Sequence, residues 1–195
     1  MSAREEILGK LRQVRTQREA VEHPGRFQAW RPDPSPPPLD GFTSMLIQAG
    51  GEVVHCVNVS ERREWLRTFL SDYDTMSMGV GVPSELAGLG PLMVAPGSEH
   101  TASVGISRAR AAVAETGSLL MDARDGRRAQ LLPPVLVVLV EANSVYSTLA
   151  DALEAVGSDM PAALGMHSGP SKSADIGQVM VKGVHGPGRV LALVA

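Results

Sequence analysis

The run Val135-Leu136-Val137-Val138-Leu139-Val140 constrains this chain more than any other segment. Six consecutive apolar residues leave no polar face for water. A strand with one wet side alternates, whereas a continuously apolar strand is covered on both sides, as in a parallel sheet between helical layers. The run is far too short to span a bilayer. Val190-Leu191-Ala192-Leu193-Val194 repeats the pattern at the C-terminus. Between such strands lie segments with helical periodicity, so the expected fold class is three-layer α/β with a mostly parallel sheet.

The expected elements follow from local signals. Residues 3–22 read as a charged helix with Ile7, Leu8, Leu11 and Val14 at helical spacing. Arg31-Pro32-Asp33-Pro34-Ser35-Pro36-Pro37-Pro38 is a stiff, extended linker. Two domains are therefore expected: an N-terminal helical arm over 1–38 and an α/β domain over 39–195. In the second, a helix over Asp40–Ala49 stops at Gly50-Gly51, and Glu52–Val57 is a strand. Ser60 caps a helix to Leu70. Strands follow at Thr75–Val80 and Leu92–Ala95, then a helix over Ser107–Val113 and a strand at Ser118–Met121. Asp125-Gly126 turns that strand back as a hairpin toward Gln130–Leu132. Asn143 or Ser144 caps a helix to Val156, a short strand ends near His167, and Ser171 caps a helix through Lys182. Arg189–Val194 closes the sheet.

Composition narrows the function. Eighteen Lys and Arg against 21 Asp and Glu give a net charge of −3, which argues against broad nucleic-acid binding. The one cysteine, Cys56, can form no internal disulfide and cannot hold an iron–sulfur cluster. The N-terminus lacks the apolar core of a signal peptide, so a soluble, cytoplasmic protein is expected. No spacing matches a metal site.

Three segments carry the chemistry-bearing residues. Ser168-Gly169-Pro170-Ser171-Lys172-Ser173 reads as a loop opening a helix. Its N–H groups, the hydroxyls of Ser168, Ser171 and Ser173, and the Lys172 ammonium suit an anion; a plain capped turn with a solvated lysine has the same spacing. Asp175, four residues after Ser171, either orients that serine, pairs with a cation, or complements the helix terminus. Gly183-Val184-His185-Gly186-Pro187-Gly188 is a shaped turn, with His185 as an acid–base group or anion contact and Gly186 freeing the backbone; the alternative is a capping histidine. Ala114-Glu115-Thr116-Gly117-Ser118 offers Glu115 as base, nucleophile or ribose binder, with Thr116, Gly117 and Ser118 around a ligand; equally, Glu115 can simply hold the turn. Glu99 and His100 are lesser candidates. All three segments are expected on loops beyond the carboxyl ends of the strands, where α/β sheets bind ligands.

Taken together, these segments resemble the lactate-utilization protein C family of LUD-domain proteins. The resemblance rests on Ala112–Ser118, on Leu132-Pro133 before an apolar strand, on Ser168–Ile176 and on Gly183–Pro187. It implies a fold like that of glucosamine-phosphate deaminase, ribose-phosphate isomerase and CoA transferases. It implies an accessory role in oxidising L-lactate to pyruvate beside partner proteins carrying iron–sulfur clusters, with no cofactor in this chain. In place of the arginine that usually follows the final His-Gly-Pro, Gly188 intervenes before Arg189. The alternatives are a stand-alone enzyme on a phosphorylated sugar, CoA ester or folate, and a non-catalytic scaffold; a homo-oligomer fits any of them.

Overall fold

A computed structural model of the chain describes residues 2–17, 37–86, 88–174 and 180–195. Helix α1 (Ala3–Gln17) forms a unit separate from the body. Its stripe of Ile7, Leu8, Leu11 and Val14 is exposed. Residues 18–22 of the expected helix and 31–36 of the expected linker lie outside the described residues.

The body is mixed α/β, as its apolar runs require. Its elements are α2 (Pro38–Gln48), β1 (Glu52–His55), α3 (Val59–Leu70), β2 (Thr75–Met78), β3 (Leu92–Met93), β4 (Val104–Val113), β5 (Ser118–Asp122), α4 (Arg127–Leu131), β6 (Val135–Val140), β7 (Val145–Tyr146), α5 (Leu149–Val156), β8 (Leu164–His167), β9 (Lys172–Ala174), β10 (Met180–Lys182) and β11 (Arg189–Val194). The central strands run in the order β1-β11-β6-β4-β2-β3, all parallel. The run Val135–Val140 lies between β11 and β4, and five of its six residues are buried.

Helices cover both faces. On one, Leu66 and Leu70 of α3 pack on Met76, Ile106, Val137, Leu139 and Leu191. On the other, Phe42 and Leu46 of α2 meet Leu136, Val138, Val190 and Ala192. Each such fully buried side chain contributes roughly 1.5–3 kcal/mol of hydrophobic stabilisation. Beyond the central sheet, β4 continues into an antiparallel ribbon with β5 and β8, backed by α5.

Several expectations are corrected. Ser107–Val113 is strand, not helix. Alanine and arginine favour helix locally, but Ser107 and Arg108 pair with β6 and Ala109 to Val113 with β5, and tertiary packing overrides propensity. Gly105 fits there because a Cβ would stand 2.4 Å from the Ala129 carbonyl oxygen. Asp125-Gly126 is no hairpin turn: it ends a short 3-10 turn, and Arg127–Leu131 is helical. Asn58, not Ser60, caps α3, accepting from the Glu61 N–H at 2.9 Å. Neither Asn143 nor Ser144 caps α5; Thr148 does, through the Asp151 N–H. Ser171 caps no helix, since Lys172–Ala174 and Met180–Lys182 pair as an antiparallel hairpin.

The loop placement is also corrected. Arg189 pairs with Val135 at the amino ends of β11 and β6, so Gly183–Gly188 lies at the amino end of the parallel strands. Ser171 joins it there, its N–H donating to the Pro187 carbonyl at 2.8 Å.

Candidate functional site

The residues singled out from sequence gather mainly around the C-terminus of α2. Gly117, at φ +60°, presses on that helix: a Cβ would lie 2.3 Å from the Leu46 nitrogen. Gly169, at φ +85°, sits against the Ala49 carbonyl. The exposed Lys172 ammonium donates to that same carbonyl oxygen, at the helix end. Buried Ser118 links Thr116 at 2.7 Å and Ser168 at 2.6 Å in a chain of hydroxyls. The Ser171 hydroxyl accepts from the His185 N–H at 3.2 Å, and Gly186 lies beside Ser171. Ser173 pairs across the hairpin with Val181.

Glu115 works elsewhere. Its exposed carboxylate accepts from the Leu149 N–H at 2.8 Å, at the start of α5, where a negative charge suits the helix terminus. Among the described residues no hydrogen bond or ion pair joins Glu115 to Lys172 or His185. Asp175 lies outside the described residues. Glu99 pairs with Arg128 at 2.8 Å ahead of β4, and His100 sits in the same 3-10 turn. Arg189 is engaged with both Glu52 oxygens, at 2.7 and 2.8 Å, and lies over the Phe69 ring.

Sequence reasoning missed one concavity. A cleft of about 480 Å³ opens at the carboxyl ends of β2 and β6, where β4 leaves the parallel sheet for the ribbon; open α/β sheets bind ligands at such strand ends. Arg108, Arg110, Arg124, Asp122, Asp125 and Glu141 line it. Asp125 is 7% exposed. One carboxylate oxygen accepts from the Gly81 N–H and the other from the Arg108 N–H at 3.2 Å, tying the loop after β2 to the middle of β4. Gly79 is required, because a Cβ there would fall 2.3 Å from that carboxylate. Burial pushes the Asp125 carboxyl above the usual carboxylate range, while its N–H donors pull it back.

Arg108 faces the cleft from β4, its side chain 48% exposed, with a long 3.7 Å contact to Glu141. Glu141 also accepts from Arg62 of α3 at 3.2 Å. Arg62 is buried, and its Nε has no hydrogen-bond partner among the described residues. Arg110 stands at a β-bulge: the β4–β5 register jumps between Ala109 and Ala111, leaving Arg110 unpaired. The bulge reverses the facing of the strand. Ala109 and, beyond it, Ala112 and Ala114 all join the core against α2, which no regular alternation allows. Buried Asp122 binds Arg110 at 3.2 Å and Arg124 at 2.7 Å, and chiefly the Arg124 hydrogen bonds hold its carboxyl below the usual range. The signal that could have exposed this site is Ser107-Arg108-Ala109-Arg110 followed by Asp122 and Asp125, once the segment is read as a strand.

A smaller cavity of about 150 Å³ lies beside β8, lined by Gln130, Leu164 and His167, among others. Burial pushes the His167 ring below its usual pKa.

Among the described residues no helix is long and apolar enough to cross a membrane. Residues 98–194 match the LUD domain. The chain is 28% identical over 202 residues to lactate utilization protein C of Deinococcus radiodurans, covering 95% of this chain and 94% of that one. It is 34% identical over 94 residues to lactate utilization protein C of Bacillus subtilis, covering 44% and 39%. A crystal structure of a DUF162 family protein from Deinococcus radiodurans superposes with a TM-score of 0.62 at 20% identity, over 80% of this chain and 95% of that chain. Strands β4 to β11, and with them most of the cleft wall, fall within the matched segment, through which this chain belongs to the LUD-domain family.

Proposed function

We propose that this protein serves lactate utilization as a cytoplasmic accessory subunit, working beside iron–sulfur partner proteins and binding a small anion in the arginine-lined cleft. The convergence of Arg108, Arg110 and Arg124 on one cavity, beside the carboxyl ends of β2 and β6, carries the reading. Guanidinium groups present paired N–H donors that match carboxylate geometry. The relatives named lactate utilization protein C support the lactate side of it. Redox chemistry is assigned to the partners, because a lone Cys56 cannot ligate a cluster. This reading puts the anion in the cleft rather than at the expected Ser171-Lys172 loop, because three guanidinium groups line the cleft.

The test is growth on L-lactate of a strain lacking this gene and any other lactate dehydrogenase. Wild-type protein restores growth, and Arg108→Gln restores it poorly while remaining folded. Normal growth of the deletion strain overturns the reading.

A further inference from the structure

Two carboxylates share the guanidinium pair of Arg110 and Arg124, and they differ in kind. Asp122 is buried and built into the strand end, where it also accepts from the Arg124 N–H at 2.7 Å. Asp159 lies in the loop between α5 and β8 with its side chain 67% exposed. One Asp159 oxygen accepts from Arg124 Nη1 at 2.8 Å. The other accepts from Arg110 Nη1 at 2.8 Å and Arg124 Nη2 at 3.2 Å. Its backbone carbonyl takes a further bond from each arginine, both at 3.2 Å. The loop is fixed at its two ends, by the Gly157 N–H to Leu153 and by the Ala123 N–H to the Ala163 carbonyl. Asp159 ties down the stretch between.

The arginines face the cleft as well as the loop, for both line the cavity. The bulge at Arg110 aims it there. A two-arginine fork gripping one carboxylate by both oxygens is a built receptor for that group, and its present occupant is an exposed side chain. Exposed ion pairs contribute little net stability, so exchanging one carboxylate for another costs little.

From this geometry we infer that Arg110 and Arg124 form the carboxylate-binding element of the cleft, and that Asp159 is an internal occupant which a small carboxylic acid displaces, releasing residues 158–162. The inference rests on the reading that the cleft binds an anion, and it narrows that anion to a carboxylate. The low pKa of Asp159, held down chiefly by Arg124, keeps it charged and competing throughout the neutral range.

The experiment is calorimetric titration of the full-length protein with pyruvate and, separately, inorganic phosphate, for wild type, Asp159→Asn and Arg124→Gln. Removing the competitor raises the fraction of free fork, so Asp159→Asn binds pyruvate about three- to tenfold more tightly than wild type. Arg124→Gln binds it at least about tenfold more weakly. Amide hydrogen exchange supplies a second readout: pyruvate speeds exchange over 158–162 in wild type, and Asp159→Asn is already fast without it. Equal pyruvate affinity in wild type and Asp159→Asn overturns displacement, and so does no pyruvate binding to either. Phosphate bound more tightly than pyruvate overturns the carboxylate assignment. Because growth on lactate is read separately, a failed displacement leaves the lactate role standing, and a failed growth phenotype leaves the fork standing.

Discussion

Replacing Gly117 with alanine separates packing from ligand binding at a residue whose sequence context suits either. Two costs follow from its position. At φ +60° an L side chain sits in the left-handed region, a penalty of roughly 1–2 kcal/mol. The new Cβ would also stand 2.3 Å from the Leu46 nitrogen and 2.5 Å from the Met45 carbonyl carbon. Both are backbone atoms of α2 and cannot swing away as the end of a side chain can. Overpacking of that kind costs roughly 1–3 kcal/mol. Together they predict a loss of about 3 kcal/mol, equivalent to a Tm drop of about 6–12 °C for a domain of this size. Gly97→Ala is the matched control, because Gly97 has φ +92° with nothing within 4 Å of the added Cβ. It should lose about 1–2 kcal/mol from strain alone. Urea unfolding of the full-length variants, followed by circular dichroism with equal slopes, gives both numbers. If Gly117→Ala loses no more than Gly97→Ala, the close approach of the β4–β5 turn to α2 is wrong, and the ligand-binding reading of Gly117 revives.

Glu115→Gln should cost about 0.3–1 kcal/mol in urea unfolding, since it removes a charge from the start of α5, and should leave pyruvate affinity untouched; loss of binding would return Glu115 to the site. His167 is held neutral by burial, its pKa below the usual 6.5, so its contribution to stability is complete above pH 6.5 and is lost as pH falls through the depressed folded value. His167→Gln should therefore flatten the loss of stability on acidification below that pH, and an unchanged slope would show that the ring is solvated. Asp122 has its pKa depressed below 3.8, so its contribution is complete above that pH and fades as pH falls through the folded value. Asp122→Asn should cost about 1–3 kcal/mol at neutral pH, with the gap from wild type closing toward the folded pKa; a gap that stays constant would mean the arginine pairing is not its source.

What the sequence reveals and conceals follows from how each element is stabilised. Val135–Val140 and Arg189–Val194 are legible because a strand buried on both faces has to be apolar throughout. Helices α2 and α3 are legible because amphipathic periodicity and end signals agree, although Asn58 rather than Ser60 holds the cap. Strand β4 is not legible, because its alanines and arginines carry a helical preference that only pairing with β6 and β5 defeats. Reading β4 as a helix hides the site, since Arg108 and Arg110 look like solvated helix residues until they are set on a strand beside a cleft. The glycines stand out for a sound reason, a backbone that must bend or approach closely, but Gly117 and Gly169 approach a helix rather than a ligand.

The bulge at Arg110 has a consequence for how the cleft can change over generations. One extra residue shifts the phase of everything after it, so Ala112 and Ala114 meet α2 while Ala111 and Val113 meet α5. Point substitutions can alter what the arginine fork binds, but none can restore regular alternation. Only loss of a residue can: without Arg110 the strand alternates regularly from Ala109 onward, Ala112 and Ala114 still meet α2, and the fork loses one arm. Chains of this architecture are thus divided by a single insertion or deletion into those with the bulge, which have a residue at the place of Arg110, and those without it, which do not. The number of residues between the positions equivalent to Val104 and Gly117 is enough to assign a relative to one class or the other.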